Sequence, residues 1–131
     1  MKLLLDTHIW IWSLVAPGKL GPRVARELAN PANDLWLSPI SVWETALLLE
    51  RGRIVVEADP TAWIEQLLRA TPAREAPLTH EVAMRSRRIL LSHPDPADRM
   101  LAATAQVHEL TLVTADERLL RCADVVTLAN R

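Results

Sequence analysis

The apolar stretches of this chain are too short to stand alone, and this limits the fold more than any other feature. Leu3-Leu4-Leu5, Leu35-Trp36-Leu37, Leu110 to Val113 and Val125-Val126 each read as a brief buried strand. Longer segments of helical spacing lie between them. Strands that are apolar on both sides need cover on both sides. Their alternation with helices therefore predicts an α/β fold of three layers, α/β/α, around a central, mostly parallel sheet.

Prolines and small polar residues punctuate the elements. An apolar stretch from Ile9 to Val15 is broken at Pro17-Gly18, and Pro22 opens a short helix to Ala29. Ser38-Pro39 opens a helix to about Arg51, with Gly52 as its stop. Asp59-Pro60 starts another, with Trp63, Ile64, Leu67 and Leu68 at helical spacing. Glu75 to Leu78 is predicted as an edge strand, since Pro77 lacks the N–H for a central one. Thr79 is predicted to cap a helix carrying Val82, Met84 and Ile89-Leu90-Leu91. Asp95-Pro96 opens a helix to about His108, and Asp116 to Arg121 forms a helical turn.

At 131 residues the expectation is a single domain, residues 1–131, able to bury a core without a disulfide or a structural metal. Cys122 is alone, which excludes an intrachain disulfide and a cysteine-based metal site. Basic residues number 15 and acidic ones 16, for a net charge of -1, so contact with nucleic acid must come from a local patch. Only Lys2 and Lys19 are lysines, and arginine dominates the basic side. No apolar run is long enough to span a bilayer, and Asp6 ends the leading leucines too early for a signal peptide; no membrane association and a cytoplasmic location are expected.

In an open parallel sheet ligands gather at the carboxyl ends of the strands. Four acids sit at such junctions. Asp6 follows the first strand, Glu44 lies early in the helix after the second, Asp98 in the first turn of the helix from Pro96, and Asp116 just past Val113. Two carboxylates about 4 Å apart repel by roughly 4 kcal/mol at an effective dielectric near 20. No lysine is available to neutralise them and histidine is scarce, so a hard divalent cation is the natural partner; Mg²⁺, with Mn²⁺ as substitute, suits an all-oxygen site. Each acid also has a local alternative. Asp6 and Asp116 can be turn residues, Ser41-Val42-Trp43-Glu44 matches a capping box, and Asp95 with Asp98 makes a good helix opening.

Four pieces, in this order and spacing, carry a family resemblance: Leu3-Leu4-Leu5-Asp6-Thr7-His8; Leu37-Ser38-Pro39-Ile40-Ser41-Val42-Trp43-Glu44; His93-Pro94-Asp95-Pro96-Ala97-Asp98-Arg99-Met100-Leu101-Ala102; and Leu112-Val113-Thr114-Ala115-Asp116. The chain resembles the PIN-domain nucleases, and within them the VapC-type toxins of bacterial toxin–antitoxin pairs. The resemblance implies a PIN-like fold and Mg²⁺- or Mn²⁺-dependent RNA cleavage, with Asp6, Glu44, Asp98 and Asp116 as catalytic and metal-binding residues. It further implies homodimerisation and inhibition by a cognate antitoxin. Leu48 departs from the pattern, standing where many relatives carry a lysine.

Thr7, Ser41 and Thr114 are candidate hydroxyls to orient the carboxylates, and Asp95 stands beside them as a cap. Arg99 adjoins Asp98 and is a candidate phosphate contact. Arg85, Arg87 and Arg88 on one helix, with Arg51 and Arg53 about Gly52, offer a path for RNA phosphates or a merely solvated face. The five Trp, with no Phe or Tyr, are expected mainly in the core, with an interface as alternative and base stacking behind it. His8, His80, His93 and His108 lack metal-ligand spacing and are assigned to packing or capping. A metal- and partner-binding module with little catalytic activity is the competing function. A phosphoryl-accepting receiver domain would want a late lysine, and none lies beyond Lys19.

Overall fold

The computed structural model describes residues 1–92 and 94–131, so the expectation for His93 lies outside the described residues. Five parallel strands form one sheet: β1 (Lys2–Leu5), β2 (Asp34–Leu37), β3 (Ala73–Glu75), β4 (Thr111–Thr114) and β5 (Thr127–Ala129), in the spatial order β3-β2-β1-β4-β5. The order reverses at β1, which has β2 on one side and β4 on the other. That reversal opens a crevice beyond the carboxyl ends of β1 and β4.

The helices among the described residues are α1 (Thr7–Val15), α2 (Pro22–Ala29), α3 (Pro39–Glu50), α4 (Pro60–Ala70), α5 (His80–Ser86), α6 (Pro96–Val107) and α7 (Glu117–Leu120). None is long and apolar enough to cross a membrane. The three layers follow from strand alternation. Leu3 and Leu5 of β1 join Ile9, Trp10, Val24, Leu67 and Val113 in one core cluster, whereas Leu4 joins Leu101, Ala102, Ala105, Leu112 and Leu119 in the other. Successive side chains point to opposite faces, and here both faces are dry. Leu3 and Leu4 are fully buried, and each contributes about 2 kcal/mol of transfer free energy.

The helix openings are built as their sequences suggest. Ser38, Asp59, Thr79 and Asp95 each cap the helix that follows by accepting a backbone N–H, and Gly52 takes a left-handed φ of 68° just past α3. Three expectations need correction. The edge strand is Ala73–Glu75, ahead of Pro77, because Leu35, Trp36 and Leu37 pair with residues 73, 74 and 75. The helix after Thr79 ends at Ser86, so Ile89, Leu90 and Leu91 lie beyond it, and of Arg85, Arg87 and Arg88 only Arg85 lies within the helix. The last strand is Thr127–Ala129, because β4 pairs with residues 127 to 129 rather than with Val125-Val126.

Candidate active site

Asp6 is the first residue beyond β1, and its backbone N–H continues the ladder by donating to Val113 O at 3.0 Å. Its side chain caps α1, with Oδ1 accepting from the Thr7 N–H at 2.7 Å. The other oxygen, Oδ2, accepts from the Thr114 hydroxyl at 2.6 Å. The same Thr114 oxygen accepts the Asp116 N–H at 3.0 Å. One hydroxyl thus fixes the acids after β1 and β4 relative to each other. Thr7 in turn donates from Oγ1 to Ser41 Oγ at 3.1 Å, with both residues fully buried. That bond ties the start of α1 to the turn of α3 that carries Glu44.

The capping-box alternative for Glu44 does not hold. Ser38 is the N-cap of α3 and Ser41 lies inside the helix, so Glu44 is too far along to reach back to the helix start. Asp116 does cap α7, accepting the Arg118 N–H at 2.8 Å. Asp95 caps α6, accepting from the N–H of Ala97 at 2.9 Å and of Asp98 at 3.4 Å. Capping and a shared site are not exclusive here. Asp6, Glu44, Asp95, Asp98 and Asp116 all line one open cleft of about 550 Å³, with His8, Trp12, Arg53 and Arg118 on its walls.

The acids feel one another. Burial, followed by the charges of Asp6, Asp95, Asp116 and Glu44, pushes the Asp98 carboxyl up to about 7. Burial also raises Asp6, against the pull of the hydrogen bonds from Thr114 and Thr7. Glu44 is raised by burial, with a Thr7 hydrogen bond acting against it and the Asp6 charge adding to it. Asp116 goes the other way. Burial pushes it up, but hydrogen bonds from the Arg118 side chain and backbone outweigh that and hold it below its ordinary value.

An all-carboxylate donor set suits a hard divalent cation. Among the described residues no group of three or more His, Cys, Asp or Glu stands ready to hold an ion, so the carboxylates must draw inward or reach it through waters. The cleft also contains cations that lysine counting misses. Arg118 Nη2 lies 3.3 Å from Asp116 Oδ2. Its place two residues past Asp116 in a helix of one turn gave the sequence pattern nothing to register. His8, assigned from the sequence to packing or capping, is instead exposed at the same cleft, and only its closeness to Asp6 could have pointed there.

Arg99 does not serve the cleft as expected. Its Nε donates to Ser86 O at 2.8 Å, Nη1 to Leu91 O at 2.7 Å and Nη2 to Ile89 O at 2.9 Å. The guanidinium fastens the segment after α5 to the helix that bears Asp98, and it is not among the cleft-lining residues. The tryptophans divide. Trp10 is fully buried and donates from Nε1 to Thr71 Oγ1 at 2.7 Å, whereas Trp43, expected in the core, is 55% exposed beside Glu44. Leu48 packs partly buried against the cluster that holds Leu3, so no basic contact arises there.

The family model of the PIN domain matches residues 3–125. Ribonuclease VapC22 of Mycobacterium tuberculosis is 36% identical over 118 residues, which cover 89% of this chain and 88% of that protein. The structure of VapBC2 from Rickettsia felis, bound to a DNA fragment from its promoter, shares the fold with a TM-score of 0.72 at 14% identity, over 98% of both chains. FitAcB from Neisseria gonorrhoeae gives a TM-score of 0.69 at 25% identity, over 98% of this chain and 97% of that one. With a family model spanning nearly its whole length and a VapC relative aligned across most of both sequences, the chain belongs to the PIN-domain family, among its VapC-type members.

Proposed function

We propose that the chain is a Mg²⁺-dependent endoribonuclease, with Mn²⁺ as substitute, acting as the toxin of a toxin–antitoxin pair. One observation carries this reading: Asp6 just beyond β1, Glu44 of α3, Asp98 in the first turn of α6 and Asp116 just beyond β4 line one cleft at the point where the sheet order reverses. The relative named a ribonuclease supports the reaction class. The solved VapBC relatives, one described as a member of a family of toxin–antitoxin systems, support a protein partner that restrains the activity. A homodimer belongs to the same proposal.

Asp6 and Asp98 would be the firmest ligands of the cation, with Glu44 and Asp116 completing the site directly or through waters. A divalent cation held there supplies an activated water and neutralises charge developing on the phosphate. The chain's own residues set the geometry. Thr114 holds the Asp6 carboxylate and the Asp116 backbone in register, and the Thr7–Ser41 bond holds the Glu44 turn against the start of α1. Asp95 fixes the first turn of α6 and with it Asp98.

The test is cleavage of RNA with Mg²⁺ and with a chelator, by the wild type and by Asp6→Asn and Asp98→Asn. Cleavage should require the metal and fall by at least about a hundredfold in either variant, while circular dichroism stays native. Metal binding without any cleavage would instead favour a metal- and partner-binding module.

A further inference from the structure

The acid cleft carries its own counter-cation. Arg118 lines it with Asp6, Glu44, Asp95, Asp98 and Asp116. Its guanidinium grips Asp116 through Nη2 at 3.3 Å from Oδ2 and Nε at 3.4 Å from Oδ1. The contact is two-pronged, and the charges of Asp98 and Asp95 also stabilise the guanidinium. The same side chain is 52% exposed. On the metal-dependent reading Asp116 completes the cation site, so a divalent ion entering the cleft would compete for the carboxylate that Arg118 holds. An arginine released at the rim of a phosphodiester-cleaving site faces the anionic substrate.

Resting on the metal-dependent reading above, we propose that Arg118 is a resident competitor for the divalent cation, which it yields Asp116 to, and that the released guanidinium then contacts an RNA phosphate. Both roles use one property: a planar fork that fits a carboxylate or a phosphate equally well. The exchange also couples loading to substrate binding, since the cation frees the arm that the phosphate needs.

The experiment titrates Mn²⁺ into the metal-free protein by calorimetry at fixed ionic strength. It compares the wild type with Arg118→Gln, Arg118→Lys and Arg53→Gln. Arg53 lines the same cleft and serves as the control for removing a nearby charge. Arg118→Gln should bind Mn²⁺ roughly fivefold tighter than wild type, and Arg53→Gln should differ clearly less. With EDTA present Arg118→Gln should melt lower than wild type, and saturating Mn²⁺ should raise its midpoint by more. At saturating Mn²⁺ its KM for RNA should rise several-fold, with partial recovery in Arg118→Lys. Equal Mn²⁺ affinity in wild type and Arg118→Gln, equal tightening by Arg53→Gln, or an unchanged KM would overturn the proposal while leaving the metal site standing. A wild type that binds no Mn²⁺ would overturn this proposal and the metal-dependent reading together.

Discussion

Thr114 links two acids through one oxygen, donating to Asp6 and accepting from the backbone of Asp116. Replacing it with valine keeps the shape but leaves a buried carboxylate oxygen and a backbone N–H without this partner. Thr114→Val should lose about 2 kcal/mol in urea unfolding at neutral pH. Its Mn²⁺ affinity should also fall, because Asp6 loses the bond that favours its ionised form and orients it. Unchanged stability together with unchanged Mn²⁺ affinity would remove Thr114 from the site. At this scale the sequence was informative about the acids and poor about what surrounds them. Asp6, Glu44, Asp98 and Asp116 stood out because each follows a turn signal at an element junction. Arg118 did not, because its contact depends on a side-chain direction that a single helical turn leaves unpatterned. Arg99 misled, since adjacency to Asp98 in a helix puts the two side chains on different faces.

At the scale of elements, legibility followed burial. β1 and the helices after Ser38 and Asp95 were readable because apolar runs and caps agree. The edges were not. β3 and β5 are three residues each, and their register is set by pairing with β2 and β4 rather than by their own composition. Glu75 to Leu78 and Val125-Val126 therefore drew the strand assignment a few residues too far or too early. The segment beyond α5 shows a related effect. Ile89 and Leu91 are buried, yet Arg99 rather than a helix places them, by binding the carbonyls of Ser86, Ile89 and Leu91. Arg99→Met keeps the apolar stem and removes the donors. It should cost about 3 kcal/mol by denaturant unfolding and speed amide exchange over residues 86–91. Exchange rates there matching wild type would show that the segment is held by packing alone.

The whole molecule has to fold around a cleft whose acids repel, and the sign of the resulting pH dependence follows from the shifts. Asp98 is raised from 3.8 to about 7, so between those values the folded protein keeps a proton that the unfolded chain has released. Stability conferred by that proton is present at low pH and is lost as pH rises through the window, with a slope of up to about 1.4 kcal/mol per pH unit. Asp6 and Glu44 are raised as well and act in the same direction. Asp116 is lowered, so its contribution is lost only as pH falls below the ordinary carboxylate range, outside this window. With EDTA present the melting midpoint should therefore drop between pH 5 and pH 8, and Asp98→Asn should flatten much of that drop and melt above wild type at pH 8. Saturating Mg²⁺ should raise the wild-type midpoint at pH 8 and do so less at pH 5, because binding requires the carboxylates to shed their protons. A wild-type midpoint level across this range in EDTA, or a drop of the same size in Asp98→Asn, would mean that the acids do not share an electrostatic site. The proposed catalytic cleft would then lose its physical basis.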